Sequence, residues 1–500
     1  MSRLGPYAEN TIACGHVLNV LAQIPDGVFH CCVTSPPYFG LRDYSLEPQI
    51  WGGSEDCRHV WGEEQPLRGK SNWNTFDDYV TDGHGAVGRF KQKAGKNGTH
   101  GQFCSLCSAW RGSLGLEPTP ALFVQHLVEV FREVKRVLRS DGSLWLNLSD
   151  SYQDKQLVGI PGDVVRALKA DGWIWRSTII WAKAISFCPD YSGSTMPESC
   201  TDRPTSSYEY LFLLSKKAHY YYDQEAVREP AEYGYSVTTG NGFTSAGNNG
   251  RGHRTVTPGS GGTRNLRSVW AITPQPFRME MCAKCKTVYT SKEYRRLRVH
   301  IEGERKHRIC RECGSWEDWL SHFAVFSEAL VEPCIKAGTS ARGCCPECRG
   351  PWERVVESKP SVPGVTGGAE WSGTSEQISK GGPSRGGGFG DGESRTLGWC
   401  PTCECYGTPP FPKWPKRLED ETQADFDKRY QCVKWNVEFL LNGWKELSTI
   451  PCIVLDPFSG AGTTAKVALE LRRNFFGIDL NADYISMSEK RISEVQPRLL

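Results

Sequence analysis

Cys452-Ile453-Val454-Leu455-Asp456-Pro457-Phe458-Ser459-Gly460-Ala461-Gly462-Thr463-Thr464, followed by Phe475-Phe476-Gly477-Ile478-Asp479, is the most informative stretch of the chain. Ile453 to Leu455 is a short apolar run of the kind buried in a parallel sheet, and Asp456-Pro457 ends it. Gly460 and Gly462 permit a tight turn with close backbone approach to a ligand. Thr463 to Leu471 resumes at helical spacing through Val467, Leu469 and Leu471, and Phe475 to Ile478 reads as a second strand ending in Asp479. Strand, glycine loop, helix, strand and acid together make one nucleotide-binding half of an open α/β sheet. Asp479 lies 23 residues after Asp456, a spacing that suits a carboxylate on the ribose hydroxyls of an adenosine. The full Gly-x-Gly-x-x-Gly fingerprint and the Walker lysine are missing, which favours an adenosine with a small polar tail over a dinucleotide or triphosphate. Taken alone, the segment also fits an ordinary strand-to-helix turn.

Near the other end, Val28 to Val33 is an apolar run leading into Thr34-Ser35-Pro36-Pro37-Tyr38 and Phe39-Gly40-Leu41-Arg42-Asp43-Tyr44. With both stretches in view, the chain resembles the S-adenosylmethionine-dependent DNA methyltransferases that modify exocyclic amino groups. Their hallmark is Asp/Asn/Ser-Pro-Pro-Tyr/Phe paired with Asp-Pro-Phe-x-Gly-x-Gly-Thr. The order, with the Pro-Pro-Tyr element first and the cofactor loop last, is similar to the β class, which places a target-recognition region between them. The resemblance implies an α/β fold: a Rossmann-like methyltransferase sheet with helices on both faces and a circularly permuted motif order. It implies that Asp456, Phe458, Gly460, Gly462 and Thr463 line S-adenosylmethionine, with Asp479 on its ribose, and that Ser35, Pro36, Pro37 and Tyr38 form the catalytic loop. It also implies double-stranded DNA as substrate and makes a cognate restriction endonuclease a candidate partner. Where the family commonly carries a Gly-Asp whose acid approaches the adenine, this chain has Gly15-His16.

The chemistry explains why these residue types belong together. An amino nitrogen conjugated into cytosine or adenine is a poor nucleophile until its N–H groups are drawn toward tetrahedral geometry. Ser35 Oγ and the Pro36 carbonyl suit the two hydrogens, two consecutive prolines stiffen the loop, and Tyr38 suits stacking on a base that has left the duplex. Methylation at a ring carbon would instead need a cysteine nucleophile, and neither Pro333-Cys334 nor Pro451-Cys452 reads as a loop after a strand. Within the family Ser-Pro-Pro-Tyr goes mainly with cytosine N4 and Asp-Pro-Pro-Tyr with adenine N6. Ser35 therefore tilts the expectation to cytosine, with adenine N6 as the alternative. Two rival classes are an RNA or protein-glutamine methyltransferase, which usually has Asn first in the loop, and a non-catalytic zinc-ribbon DNA-binding protein on a relic fold.

Five hundred residues at a net charge of +2 suggest a catalytic domain with insertions, and phosphate binding would have to come from local patches. There is no charged start with an apolar h-region and no run of 18 apolar residues, so neither secretion nor membrane insertion is indicated, and a cytoplasmic protein is expected. In such a chain 21 cysteines are expected as reduced thiols, and five Cys-x-x-Cys pairs make metal the better reading than disulfide. Cys282/Cys285 and Cys310/Cys313, 24 residues apart, have the spacing of a zinc ribbon. Between them lie Lys292, Arg295, Arg296, Arg298, Arg305, Lys306 and Arg308, a candidate DNA clamp or a solvated basic face. Cys57, His59, Cys104 and Cys107 form a second candidate zinc set, and Cys345, Cys348, Cys400 and Cys403 a third, with Cys405 able to replace Cys403.

In chain order, residues 1–50 hold the catalytic-loop half and 51–115 an insertion with little apolar periodicity. Residues 116–222 carry sheet and helices: Phe123, Leu127, Val130, Phe131, Val134 and Leu138 recur at helical spacing. Asp141-Gly142 is expected to turn the chain into a strand at Ser143 to Leu148. A helix follows from Pro161 to Ala170, then strands at Trp173 to Trp181 and Tyr208 to Leu214, an alternation that predicts a parallel-dominated sheet. Residues 223–320 form a target-recognition region containing the ribbon 282–313. It begins with a Gly/Asn/Ser/Thr-rich stretch bearing Arg251, Arg254 and Arg264, which reads equally as a DNA-contacting loop or a linker. Ser268-Val269-Trp270 resembles an element that the β class places near the flipped base; its bland alternative is an edge strand anchored by tryptophan. Residues 321–343 resemble the family's cofactor-side helix, with Ser327 where proline is frequent. Residues 344–448 are a second ribbon-like insertion with a Gly/Ser-rich run, Ser358 to Arg395, expected to be disordered, and 449–500 the cofactor-binding half.

Overall fold

The computed structural model describes residues 3–495 except 42, 45, 55, 64–100, 231–233, 239–254, 260–262, 276–278, 303–304, 317–318, 321–325, 358–394 and 407–422. Arg251, Arg254, the first five residues of the segment 321–343 and nearly all of the Gly/Ser-rich run thus lie outside the described residues. The chain divides into two units, one of residues 1–222, 267–351 and 449–500, the other of 223–266 and 352–448.

The first unit is built on an eight-stranded sheet of β1 (Thr11–Cys14), β2 (Phe29–Thr34), β3 (Leu138–Leu148), β4 (Ile174–Ala182), β5 (Tyr208–Ser215), β6 (Val269–Ala271), β7 (Ile453–Asp456) and β8 (Asn474–Asp479). Their spatial order is β6-β4-β5-β3-β2-β7-β8-β1. Only β5 runs antiparallel to its neighbours, so the sheet is parallel-dominated as expected. The late strand β7 pairs directly with the early strand β2, which is what a permuted motif order demands. Every residue of β2 is buried, because a central parallel strand is covered on both faces. Val269–Ala271, β6, is the edge strand of the sheet, with Trp270 buried and its indole donating to Arg267 O.

Helices α1 (Val17–Ala22), α2 (Pro120–Val137) and α3 (Ile160–Ala170) cover one face; α4 (Glu328–Gly338), α5 (Thr463–Glu470) and α6 (Ala482–Ser493) cover the other. In α2, Thr119 caps by accepting from the Leu122 N–H, Pro120 opens the first turn, and Phe123, Leu127, Val130, Phe131 and Val134 are buried. Each such side chain contributes roughly 1.5–3 kcal/mol of burial, which is why helical periodicity there predicts the structure well. β3 begins at Leu138 but breaks register at Asp141-Gly142: β2 advances from Phe29 to Cys31 while β3 advances from Leu138 to Ser143, and its ladder to β5 starts at Ser143, where the sequence places the strand; Arg139 bonds to Asp141 within the irregular stretch.

The insertion after the catalytic loop is better anchored than its composition suggests. Gln49–Trp51, Gln102–Phe103 and Trp110–Gly112 form a three-stranded antiparallel sheet, and the Trp51 and Trp110 rings stack on His126 of α2 at 5.0 and 5.4 Å. The ribbon region contains a sheet of Met279–Cys282, Val288–Thr290 and Trp319–Leu320, a short helix Ser291–Arg295 closed by a Thr290/Glu293 capping box, and the hairpin Val299–Glu302/Arg305–Arg308. In the second unit the hairpin Trp352–Glu357/Arg395–Pro401 packs on the helix Gln423–Trp444 through Trp352, Val355, Val437, Leu441 and Trp444. Among the described residues no helix is long and apolar enough to cross a membrane.

Candidate active site and metal centres

The two sequence motifs meet at the carboxyl ends of β2 and β7. Thr34, the last residue of β2, donates its hydroxyl to Asp456 Oδ1 at 2.7 Å, and the Phe458 N–H donates to the same oxygen at 3.2 Å. Asp479 ends β8 next door, accepting from the Gly460 N–H at 2.7 Å and the Asn481 N–H at 2.8 Å. Burial pushes both carboxyls up to about 6; hydrogen bonds from Thr34 and Phe458 oppose this at Asp456, and backbone N–H groups oppose it at Asp479. Gly462, at φ +68°, precedes α5, and a Cβ there would lie 2.8 Å from Ser488 Cβ. The loop is thus closed against α6, with the α5 N-terminus at the mouth, an arrangement suited to a polar ligand.

Ser35, Pro36, Pro37 and Tyr38 leave β2 at that mouth. Ser35 Oγ donates to the Tyr38 hydroxyl at 3.1 Å. The phenol proton is shared between Glu209 Oε2 at 2.7 Å and Asn147 Oδ1 at 2.9 Å, and Glu209 is paired with Lys183. Burial first, and then the Glu209 carboxylate, hold the Tyr38 phenol protonated by raising it well above its usual range. Thr34, Asn147, Lys183 and Glu209 were missed at the sequence level. The available signal was a polar residue inside an apolar strand, Asn147 in Leu144 to Leu148 and Glu209 before Tyr210 to Leu214.

A second support reaches the loop from below. The Gly40 N–H donates to Gly115 O at 2.8 Å, and Gly115, at φ +92°, passes so close that a Cβ would sit 3.0 Å from Tyr38 O. The Gly115 N–H donates to Glu117, which also pairs with His126 at 2.9 Å. His16, where the family commonly has an acid, packs edge-on against Trp51 at 4.5 Å. Burial, and then His126, push it down to about 4, so it is neutral. Cys334 is buried within α4 and Cys452 just ahead of β7, so neither thiol stands at the mouth as a nucleophile.

Two of the three expected thiol sets assemble in the first unit. Sγ–Sγ distances are 3.6 Å for Cys282/Cys313 and 3.5 Å for Cys285/Cys310. In the other set Cys57/Cys104 are 3.9 Å apart and Cys107 Sγ lies 3.3 Å from His59 Nδ1. The Sγ–Sγ separations are too long for disulfides, at about 2.05 Å, and lie near the edge of about 3.8 Å expected of a tetrahedron with Zn–S bonds near 2.3 Å. The third expected set is divided between the two units, Cys345 and Cys348 in the first and Cys400, Cys403 and Cys405 in the second. Within the second, Cys400 lies on the hairpin opposite Glu353, packed on the apolar core and pushed up to about 11 by burial, which corrects its reading as a ligand. Cys403 and Cys405 follow after that strand ends at Pro401. An unforeseen group, His30, Cys344 and Cys452, is no metal centre: His30 accepts the Ile453 N–H at Nδ1 and donates to Arg349 O from Nε2, leaving no nitrogen lone pair.

Comparison with known proteins agrees with this geometry. The profile of the DNA methylase family matches residues 29–345 and 445–490. The type II methyltransferase M.Cfr9I of Citrobacter freundii is 30% identical over 354 residues, covering 65% of this chain and 71% of that protein. M.SfiI of Streptomyces fimbriatus is 24% identical over 524 residues, covering 94% and 88%. The solved PvuII DNA methyltransferase (cytosine-N4-specific) superposes with a TM-score of 0.39 at 10% identity, over 96% of this chain and 87% of that one, a likeness too weak to add anything. With its two motif segments side by side on a permuted parallel sheet, the chain belongs to the DNA methylase family of N6 and N4 amino-methyltransferases.

Proposed function

We propose that the chain transfers a methyl group from S-adenosylmethionine to the exocyclic amino nitrogen of a base flipped out of duplex DNA, with cytosine N4 preferred over adenine N6. The observation that carries this reading is the Thr34–Asp456 bond, which ties the Ser35-Pro36-Pro37-Tyr38 loop to the Asp456–Thr463 loop. Bound S-adenosylmethionine supplies an electrophilic methyl group on a sulfonium. Asp479 holds its ribose, and Asp456, Phe458, Gly460, Gly462 and Thr463 line its site. Ser35 Oγ and the Pro36 carbonyl accept the two amino hydrogens, turning the nitrogen lone pair outward, while the Tyr38 ring stacks on the base. The preference for cytosine rests on Ser35.

Zinc in the Cys282/Cys285/Cys310/Cys313 and Cys57/His59/Cys104/Cys107 sets acts structurally, as crosslinks without an open position. The ribbon is a DNA clamp: Lys292, Arg295, Arg296 and Arg298 are all exposed around its short helix, available to phosphates. Names such as type II methyltransferase among the relatives support a restriction-modification setting with a cognate endonuclease. The test is incubation with isotope-labelled S-adenosylmethionine and mixed-sequence duplex DNA, digestion to nucleosides and mass spectrometry. Labelled N4-methylcytosine is expected. N6-methyladenine would overturn the use made of Ser35, and no labelled nucleoside together with no cofactor binding would overturn the enzymatic reading.

A further inference from the structure

The hydrogen-bond chain behind the catalytic loop has a direction, and that direction matters for chemistry. Ser35 needs its lone pairs, not its proton, facing the substrate amino group, yet a free hydroxyl rotates and presents either. Here Ser35 Oγ has one hydrogen-bond partner among the described residues, the Tyr38 phenol oxygen. That oxygen is free to accept because its own proton is drawn away by Glu209 and Asn147, on the two neighbouring strands β5 and β3. Asn147 cannot turn its amide around, since its NH2 group is committed to Tyr210 O at 3.0 Å. Glu209 is buried and its second oxygen is held by Lys183, just past the end of β4, whose ammonium also lies 5.0 Å over the Trp181 ring. Acceptors thus stand at the inner end of the chain and a donor at the outer end, and the whole is anchored on rigid strands.

We propose that Glu209, with Lys183 and Asn147, is a positioning residue that holds the Tyr38 phenol so that the Ser35 proton points inward and the Ser35 lone pairs face the target amino group. The inference deepens the proposed function and rests on its reading of Ser35 as an acceptor. It separates two duties of Tyr38: the ring serves the base, and the hydroxyl serves Ser35. In Glu209→Gln, Lys183 takes the amide oxygen, so the amide NH2 donates to the phenol and competes with Ser35 for its lone pair. In Tyr38→Phe the ring stays and Ser35 loses the acceptor for its proton.

The experiment is single-turnover methyl transfer on a duplex that the wild-type chain methylates, with S-adenosylmethionine and DNA affinities measured alongside. Tyr38→Phe and Glu209→Gln are each expected to slow transfer by about 10-fold with both affinities unchanged, the scale of one misdirected hydrogen bond. In a Ser35→Ala background both substitutions should add nothing, since they act through a hydroxyl no longer present. A merely structural role would multiply with Ser35→Ala instead, and that result overturns the inference, as does full-rate transfer by both variants. If Ser35→Ala itself transfers at the wild-type rate, the reading of Ser35 fails first. Should Glu209→Gln fold poorly, Tyr38→Phe, which buries no charge, carries the same test.

Discussion

Replacing Glu117 by leucine should both destabilise the chain and slow methyl transfer. Glu117 is fully buried and serves two donors, the Gly115 N–H at 2.8 Å and His126 Nδ1 at 2.9 Å. His126 cannot move away, because Trp51 and Trp110 stack on its ring. A leucine of similar volume leaves both donors buried without an acceptor, at about 1–3 kcal/mol each, so a loss of about 4 kcal/mol is expected. The turn through Gly115 also holds Gly40, so the damage reaches the Ser35 loop. Glu117→Gln is the control: its carbonyl can accept from Gly115 while its NH2 donates to the other tautomer of His126, and the cost should stay near 1 kcal/mol. Urea unfolding with an unchanged slope measures the stability term, and single-turnover transfer at low denaturant measures the catalytic one. A Glu117→Leu loss below about 1 kcal/mol, or equal losses for leucine and glutamine, would refute the reasoning built on unsatisfied buried donors.

Two further predictions are independent of that one. Cys400→Ser should keep the zinc content of the purified chain, whereas Cys403→Ser and Cys405→Ser should lower it, because Cys400 packs in an apolar core; the reverse pattern in elemental analysis would restore Cys400 as a ligand. Asp456 and Asp479, raised by burial to about 6, bind more protons folded than unfolded, where an aspartate titrates near about 3.9. Their contribution to stability should therefore fall as pH rises from about 4 to 6 and stay reduced above, and Asp456→Asn should flatten that fall in urea midpoints of the cofactor-free chain; an equal slope in both proteins would contradict it.

Local pattern was enough wherever one short segment carries its own reason. The apolar runs at β2 and β7, the glycine loop before α5, and the helical stripe of α2 all follow from burial and backbone sterics acting over a few residues. The paired motifs were legible for the same reason, as were the ribbon's four thiols, whose spacing alone sets a hairpin geometry. What only the tertiary structure decided are partnerships between distant strands. Thr34 meets Asp456 across 422 residues and Tyr38 meets Glu209 across 171. Cys400 reads like its neighbours Cys403 and Cys405 in sequence, yet strand alternation turns it into a core. A buried polar group needs a partner, but the group supplying it is set by which strands the sheet brings together, and that order is a property of the whole chain.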